Sequence, residues 1–566
     1  MHVKLTTSGG RRYVQLVESY RDEAGRVKKR TVATLGRAEQ VDGSLDAVIN
    51  GLLKITGREP MGAKPPAPTV SFESARALGD VWALTELWNS LGFSGLRRVF
   101  SRTRHTTDVE ALIRLMVLNR LCDPESKLGV LRWVHTVALP DFRPKAVTHQ
   151  QLLRSLDALM DHQDEVDAVV AGLLRPLIDQ DLSVVFYDLT TIRSEGLSQM
   201  TGDVRQFGMA KEGLIARQFM LGVVQTAEGL PIYHEVFDGN AAETRTLLPT
   251  LTKVLERFPA VQRLVLVADR GLLSLDNLEA LKSVRLASGK PLEFIVAVPG
   301  RRYNEFIDLL EPFHEQQCVG ATQEVISERA WNALRLVVAH DPLAAADKTQ
   351  QRNARIDALL RQAEQWTGKL TDQDEGVKYR GRKLSDSGAK ARFYHVVSEA
   401  HLSRIIKVDL AEELFSYDID DKARRLAEMM DGKLLLVTNA EGLSAQNVIQ
   451  RYKSLADIER GFKVLKSEIE IAPVFYRLPE RIKAHASICF IALILYRVMR
   501  QRLKRAGTDL SPESALADLR HIQRHTVSID NGAPIQGVST IHQHQADVLA
   551  ALSIKKPTYD AQMKLL

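Results

Sequence analysis

Two short apolar runs, Leu182-Ser-Val-Val-Phe-Tyr187 and Leu264-Val-Leu-Val-Ala268, each lead directly into an aspartate, Asp188 and Asp269. Runs of this length, rich in β-branched and aromatic side chains, are too short for helices and read as buried strands. Further strands are expected at 217–225, 230–237 and 293–298, with helical periodicity at 247–258 and 275–283. Three strands, a helix, a strand, a helix and another strand make an α/β layer.

A side chain that follows a strand projects past the sheet edge. One aspartate there is usually a turn or helix cap; two in matching contexts weaken that reading. Together they make a cradle for hard divalent cations such as Mg²⁺, which prefer oxygen ligands. Two such ions about 4 Å apart can assist both the attacking and the leaving oxygen of a displacement.

The third ligand is expected to be Glu459, within Tyr452-Lys-Ser-Leu-Ala-Asp-Ile-Glu459-Arg-Gly-Phe-Lys-Val-Leu-Lys466. A long helix is expected over 444–467, and residues seven apart, Tyr452, Glu459 and Lys466, then share one face. Such a helix is more often a solvated surface, and Asp457 and Glu468 compete as the acid.

The rest of the chain of 566 residues has room for several domains. Residues 1–57 read as a β-rich hairpin module, with strands around Tyr13 to Tyr20 and Val27 to Leu35 and a turn at Asp22-Glu-Ala-Gly25. Residues 58–71, with Ala63-Lys-Pro-Pro-Ala-Pro68, read as a linker, and 72–180 as a helical domain in which Arg97, Arg98, Arg102 and Arg104 could grip DNA. The α/β core is expected in two parts, 181–300 and 432–510, around a mixed insertion at 301–431 with a helix over 355–365 and strands at 334–339 and 393–398. A last core strand is expected at 433–438, and 511–566 is read as a tail region.

Net charge is +6, too mild to show nucleic-acid binding. The bias is concentrated between Arg477 and Arg505, where eight lysines and arginines stand against Glu480 alone; phosphate binding and a solvated face are about equally good readings. Cys122, Cys318 and Cys489 lie far apart, which argues against a disulfide framework or a cysteine zinc site. The amino terminus lacks a signal peptide's apolar core, and the longest apolar run, from Ile488 to Tyr496, is far short of the ~20 residues of a bilayer span. A cytoplasmic setting, beside the nucleoid, is expected, and the apolar run is expected to be a buried helix. His542-x-His544 lacks partner ligands at metal-binding spacing.

A strand into Asp188, a strand into Asp269, a long insertion and a helix with Y-x6-E-x6-K resemble the DDE transposases of bacterial insertion sequences, most closely the "IS four" group and its relatives with their Y-x2-R-x3-E-x6-K signature. The likeness spans roughly 182–505, and Ser19-Tyr-Arg-Asp22, Gly208-Met-Ala-Lys-Glu-Gly213 and Gly229-Leu-Pro-Ile232 add to it. It implies an RNase H-like catalytic core and an enzyme that cuts element ends and joins them to target DNA. It further implies that Asp188, Asp269 and Glu459 are catalytic and hold two Mg²⁺ or Mn²⁺ ions, and that Tyr452 and Lys466, with Lys463 and Arg460 beside them, contact DNA phosphates. The implied partners are double-stranded DNA, as terminal inverted repeats and target, and a second copy in a synaptic homodimer. The signature arginine would fall at Leu455; Arg451 and Arg460 are the available substitutes.

An aspartyl phosphotransferase would want a second aspartate where Thr190 stands, and no G-x-x-x-x-G-K-[ST] loop is present. A non-catalytic DNA-binding protein and a host nuclease on the same fold are the remaining alternatives.

Overall fold

A computed structural model of the chain describes residues 1–40, 45–58, 69–101, 107–140, 142, 147–177, 184–195, 202–209, 215–268, 275–377, 383–530 and 532–557. The chain divides into two compact units, Met1–Ser74 with Thr526–Ile535, and Ala75–His525 with Gln536–Leu566. The expected linker segment 63–68 lies outside the described residues.

The first unit opens with three antiparallel strands, β1 (His2–Ser8), β2 (Arg11–Arg21) and β3 (Val27–Arg37), in the order β1-β2-β3, followed by helix α1 (Leu45–Ile55). The expected hairpin is β2 and β3, turning where Asp22 Oδ1 accepts from the amides of Ala24 and Arg26 at 3.1 and 2.9 Å and Gly25 takes φ +75°. The hairpin reading missed β1. Its side chains are almost all exposed, so no apolar alternation marks it.

Strand β4 (Val70–Ala77) leads into helices α2 (Gly79–Leu91), α3 (Arg97–Phe100), α4 (Val109–Cys122), α5 (Lys127–Trp133), α6 (His149–Asp161) and α7 (Gln163–Leu174). Their starts are capped as the sequence would have it: Asp108 accepts from Ala111 N, Ser126 from Gly129 N, and Thr148 forms a capping box with Gln151. Arg97 is held by Asp108 and Glu110, each at 3.2 Å, and Arg102 and Arg104 lie outside the described residues. Arg97 is exposed and also helps to neutralise the buried Glu110, which accepts from Trp88 Nε1 at 2.8 Å.

The large sheet is built from β5 (Val184–Arg193), β6 (Gln206–Met209), β7 (Ile215–Thr226), β8 (Pro231–Asp238), β9 (Val265–Ala268), β10 (Glu293–Ala297), β11 (Val325–Trp331) and β12 (Leu334–His340). Helices α8 (Glu243–Arg257), α9 (Leu275–Ser283) and α10 (Ile307–Phe313) are interleaved. Between β12 and the last strand come α11 (Pro342–Asp374), α12 (Asp386–Glu399), β13 (Ile406–Val408), β14 (Tyr417–Ile419) and α13 (Asp421–Met430). The last strand, β15 (Lys433–Thr438), enters the middle of the sheet, whose order is β11-β12-β15-β10-β9-β5-β7-β6 with β8 also on β7. Strand β7 is antiparallel to both β5 and β8, and β5, β9 and β10 are parallel, so the expected α/β layer is present.

Two expectations about the insertion change. The run at 334–339 is β12, a member of the main sheet, and 393–398 is helix, not strand. There Phe393 and Val397, one turn apart, are buried against Ile356, Leu402 and Phe415 in a hydrophobic cluster of their own, and that burial overrides the strand preference of Phe-Tyr-His-Val-Val.

Helices α14 (Ala445–Lys453), α15 (Leu455–Ser467), α16 (Pro479–Arg505) and α17 (Pro512–Arg520), strands β16 (Gln523–Ile529) and β17 (Ile535–Val538), and α18 (Gln543–Ala551) complete the chain. Strands β17, β16 and β4 form a sheet in that order. The carboxy-terminal stretch is thus not a tail: Leu516, Leu519 and Leu549 belong to the main helical core. Helix α16 is long and apolar enough to cross a membrane, yet 94% of its apolar window is buried inside the protein. It is the central rod of that core.

Because the insertion's cluster is its own, Phe393→Ala should cost about 3–5 kcal/mol locally. Hydrogen exchange should rise across α12, β13 and β14 while β5 and β9 keep their protection; loss of protection throughout would show one cooperative core instead.

Candidate catalytic site

Strand β5 does not end at Asp188. Antiparallel pairing with β7 carries it on to Arg193, opposite Gln218. Among the described residues its parallel neighbour β9 pairs with β5 from Val184↔Val265 to Tyr187↔Ala268. Asp188 follows Tyr187 on β5, and the residue that follows Ala268 in sequence is Asp269, which lies outside the described residues.

Alternation along β5 fixes the faces. Val185, Tyr187 and Leu189 pack in the cluster that includes Leu247, Leu251 and Leu278 from α8 and α9. Val184 and Phe186 pack with Val448, Ile449, Tyr452 and Leu455. By its register Asp188 belongs to this second face, the one covered by α14, and α15 also packs against β5. Its carboxylate is half-buried and accepts from Leu189 N at 2.7 Å. On the opposite face Tyr187 donates to Thr246 Oγ1 at 2.8 Å, and burial pushes its phenol well above the ordinary range.

The single helix expected over 444–467 is two, α14 and α15, interrupted at Ser454. Tyr452 therefore stands on a different helix from Glu459 and Lys466, and its ring is 9% exposed within the cluster beneath α14. Lys463 and Lys466 are exposed on α15. The side chains of Glu459 and Arg460 lie outside the described residues. Leu455, at the signature arginine's position, is 5% exposed and part of the same apolar cluster. Arg451 does not replace that arginine. Burial lowers its pKa, as does the nearby Arg263, with Glu293 opposing; Glu293 pairs with Val265, three residues and about 10 Å of strand from Ala268.

Long-range contacts that the sequence does not announce hold α15 in place. Gly461 is buried where a Cβ would come within 3.0 Å of Gln225 on β7 and Arg497 on α16. Beyond the helix, Arg120 donates to the carbonyls of Ile469 and Glu470, and Arg205 to those of Tyr476 and Arg477 at 2.9 and 3.0 Å. Arg205, among the most deeply buried side chains, is paired with Asp203 at 2.8 Å. Burial raises the Asp203 carboxyl, but hydrogen bonds from Arg205 outweigh it and leave the pKa lowered. The edge of β5 joins the same segment: Ser194 Oγ donates to Val474 O at 3.0 Å and Val474 N to Arg193 O at 3.2 Å.

The basic block between 477 and 505 is not one exposed stripe. Arg481 forms a two-pronged pair with Asp157, Arg497 is 5% exposed, and Arg502 donates to Leu552 O. His544 lies 3.4 Å from Asp518 and His542 caps α18; among the described residues no three histidines, cysteines or acids gather into a metal site.

Gly461→Leu should overpack the junction of α15 with β7 and α16 and cost about 1–3 kcal/mol, read as a lower denaturation midpoint. An unchanged midpoint would mean α15 is seated elsewhere. Arg205→Met, which leaves the buried Asp203 carboxylate with only Arg217 at 3.9 Å, should cost at most about 3–5 kcal/mol at neutral pH. Because the folded pKa of Asp203 is lowered, its contribution is present above the ordinary carboxyl pKa and is lost only as pH falls through the folded value.

The sequence models of two families match the chain: "IS1634 family transposase, N-terminal domain" over residues 2–65 and "Transposase DDE domain" over 179–495, more than half of its length. Among solved structures, the cryo-EM structure of a piggyBac transposase synaptic complex with hairpin DNA matches at 9% identity, covering 78% of this chain and 75% of that chain, with a TM-score of 0.36. No curated protein matches. The chain belongs to the DDE transposases, mixed α/β proteins with an RNase H-like domain, with an amino-terminal segment like that of the IS1634 family, and is a polynucleotidyl transferase that binds DNA, cleaves it and transfers strands.

Proposed function

We propose that Asp188, Asp269 and Glu459 are the catalytic carboxylates of this enzyme. The observation that carries the reading is the β5–β9 register: Tyr187 pairs with Ala268, and the residue that follows each of them in sequence is an aspartate. Glu459 stands one helical turn beyond Leu455 on α15, the helix that packs against β5.

Enzymes of this family use divalent metal ions. Three carboxylates, with no thiol or imidazole among them, fit two hard cations, Mg²⁺ or Mn²⁺. Such ions, when bound, supply Lewis-acid stabilisation to the oxygens of the phosphodiester. The chain's own part is to hold three acids on a rigid sheet and a seated helix. Lys463 and Lys466, exposed on α15, neutralise the DNA backbone beside them, and Arg460 belongs to the same helix. The Tyr452 hydroxyl contacts phosphate while its ring is core.

In this reading the catalytic helix is a variant of the Y-x2-R-x3-E-x6-K signature of the "IS four" group, with Leu455 in the arginine's place. The substrates are the element's terminal inverted repeats and target DNA, joined in a homodimeric synapse, and the reaction takes place in the cytoplasm at the nucleoid.

The test is metal-dependent cutting of a labelled duplex carrying the element's ends. Asp188→Asn, Asp269→Asn and Glu459→Gln should each lose several kcal/mol of transition-state stabilisation, roughly 10³-fold in rate, while keeping end binding; EDTA should abolish cutting by the wild type. Cutting that survives any of the three would remove that residue from the site. Tyr452→Phe should keep the folded core and end binding and slow cleavage, which separates hydroxyl from ring. Leu455→Arg, which buries an unpaired guanidinium in an apolar cluster, should destabilise the fold and not raise activity; a stable, faster enzyme would show that the position faces DNA.

A further inference from the structure

The second unit also holds a cleft of about 480 Å³ formed by α4, α5, α6, α16 and the segment after α15, within the roughly 300–1,000 Å³ usual for ligand pockets. Arg120, Lys127 and His485 line its buried part, and Leu128 and Phe475 stand at its rim, 58% and 70% exposed.

Lys127 is the unusual member. It is 6% exposed, and among the described residues it has no carboxylate within ion-pairing distance and no hydrogen-bond acceptor. Burial, with Arg120 close by, pushes its pKa down to about 7. The cleft's two carboxylates do not serve it: Glu125 lies 3.9 Å from Arg132, and Glu470 is exposed. His485 bonds Ile471 O through Nε2 at 3.0 Å, and burial holds its imidazole neutral. Its Nδ1 is then an acceptor, buried and without a partner among the described residues.

An ammonium and a ring nitrogen without partners among the described residues, with an exposed aromatic face in the same cleft, match the parts of a nucleotide. Phosphate complements the lysine, a base stacks on the phenyl ring, and an exocyclic amine can donate to the imidazole. We propose that this cleft holds one nucleotide of the bound DNA, splayed from its neighbours, with its phosphate toward Lys127 and its base against Phe475. The proposal rests on the transposase reading and extends it along the DNA. Val474, beside Phe475, bonds Arg193, five residues along β5 from Asp188. That is about 17 Å of strand, or roughly five nucleotides at 3.4 Å each.

The experiment scans the full-length protein against element-end duplexes carrying 2-aminopurine at successive positions around the cut. One position should change fluorescence on binding. Phe475→Ala should remove that change and weaken end binding roughly 5- to 150-fold. Lys127→Met should weaken all duplexes alike and lower the salt slope by roughly one, with a melting temperature equal to or above wild type because a buried unpaired charge has gone. The proposal is overturned if the wild type binds and cuts with no position responding, or if both variants bind like the wild type. A wild type that neither binds nor cuts would overturn the reading of the site as well.

Discussion

The parallel pairing of β5 with β9 is the constraint on which the rest of the catalytic unit depends. Four described residue pairs make it up, and they fix the register and face of β5 on which Asp188 stands. A one-residue slip would turn Asp188 to the other face of the sheet, among the side chains packed beneath α8. Both faces resist that slip: Tyr187 is bonded to Thr246 on one side, and Phe186 is clamped under α14 on the other.

In the proposed site the sheet strands lead into two acids, and the third belongs to a helix whose seat is built from residues far away in sequence. Gly461 admits close approach to β7 and α16, and the guanidinium groups of Arg120 and Arg205 satisfy carbonyls in the stretch that leaves α15. Buried arginines of this kind do structural work that a solvent-facing lysine could not, since their planar forks bond several carbonyls at once. Helix α15, which carries the proposed glutamate, is thus positioned by the helical half of the unit, through α4 and α16, as much as by the sheet.

Much of this was legible in the sequence. Short apolar runs ending in aspartate gave β5 and β9, and the periodic stretches gave α8 and α9 at nearly their observed bounds. What escaped reading escaped for physical reasons. Strand β1 is exposed on nearly every residue and carries no pattern. The break at Ser454 leaves the helical periodicity of both flanks intact, so Tyr452 was placed on the face of Glu459 when it is a core residue of α14. The block of arginines after 477 has the composition of a DNA-binding stripe, but Asp157, which pairs with Arg481, lies more than three hundred residues away. Sheet order was equally hidden: β12 looks like part of an insertion because nothing local says that it pairs with β15.

That placement of β15 has a consequence for how the chain is made. The strand lies between β10 and β12, so every chain still short of residue 433 leaves the β10 edge open and β12 without its inner neighbour. Closing the gap after an excursion of about ninety residues adds only modestly to the entropic cost of a shorter loop, because that cost grows logarithmically. The larger effect is on incomplete products. A polypeptide that stops within the insertion carries both aspartates but an unpaired apolar strand edge, the kind of surface that drives aggregation, and it lacks the helix that carries the glutamate. A chain truncated within the insertion is therefore expected to aggregate through that edge, and the order of the strands ties the closure of the sheet to synthesis of the segment that follows the insertion.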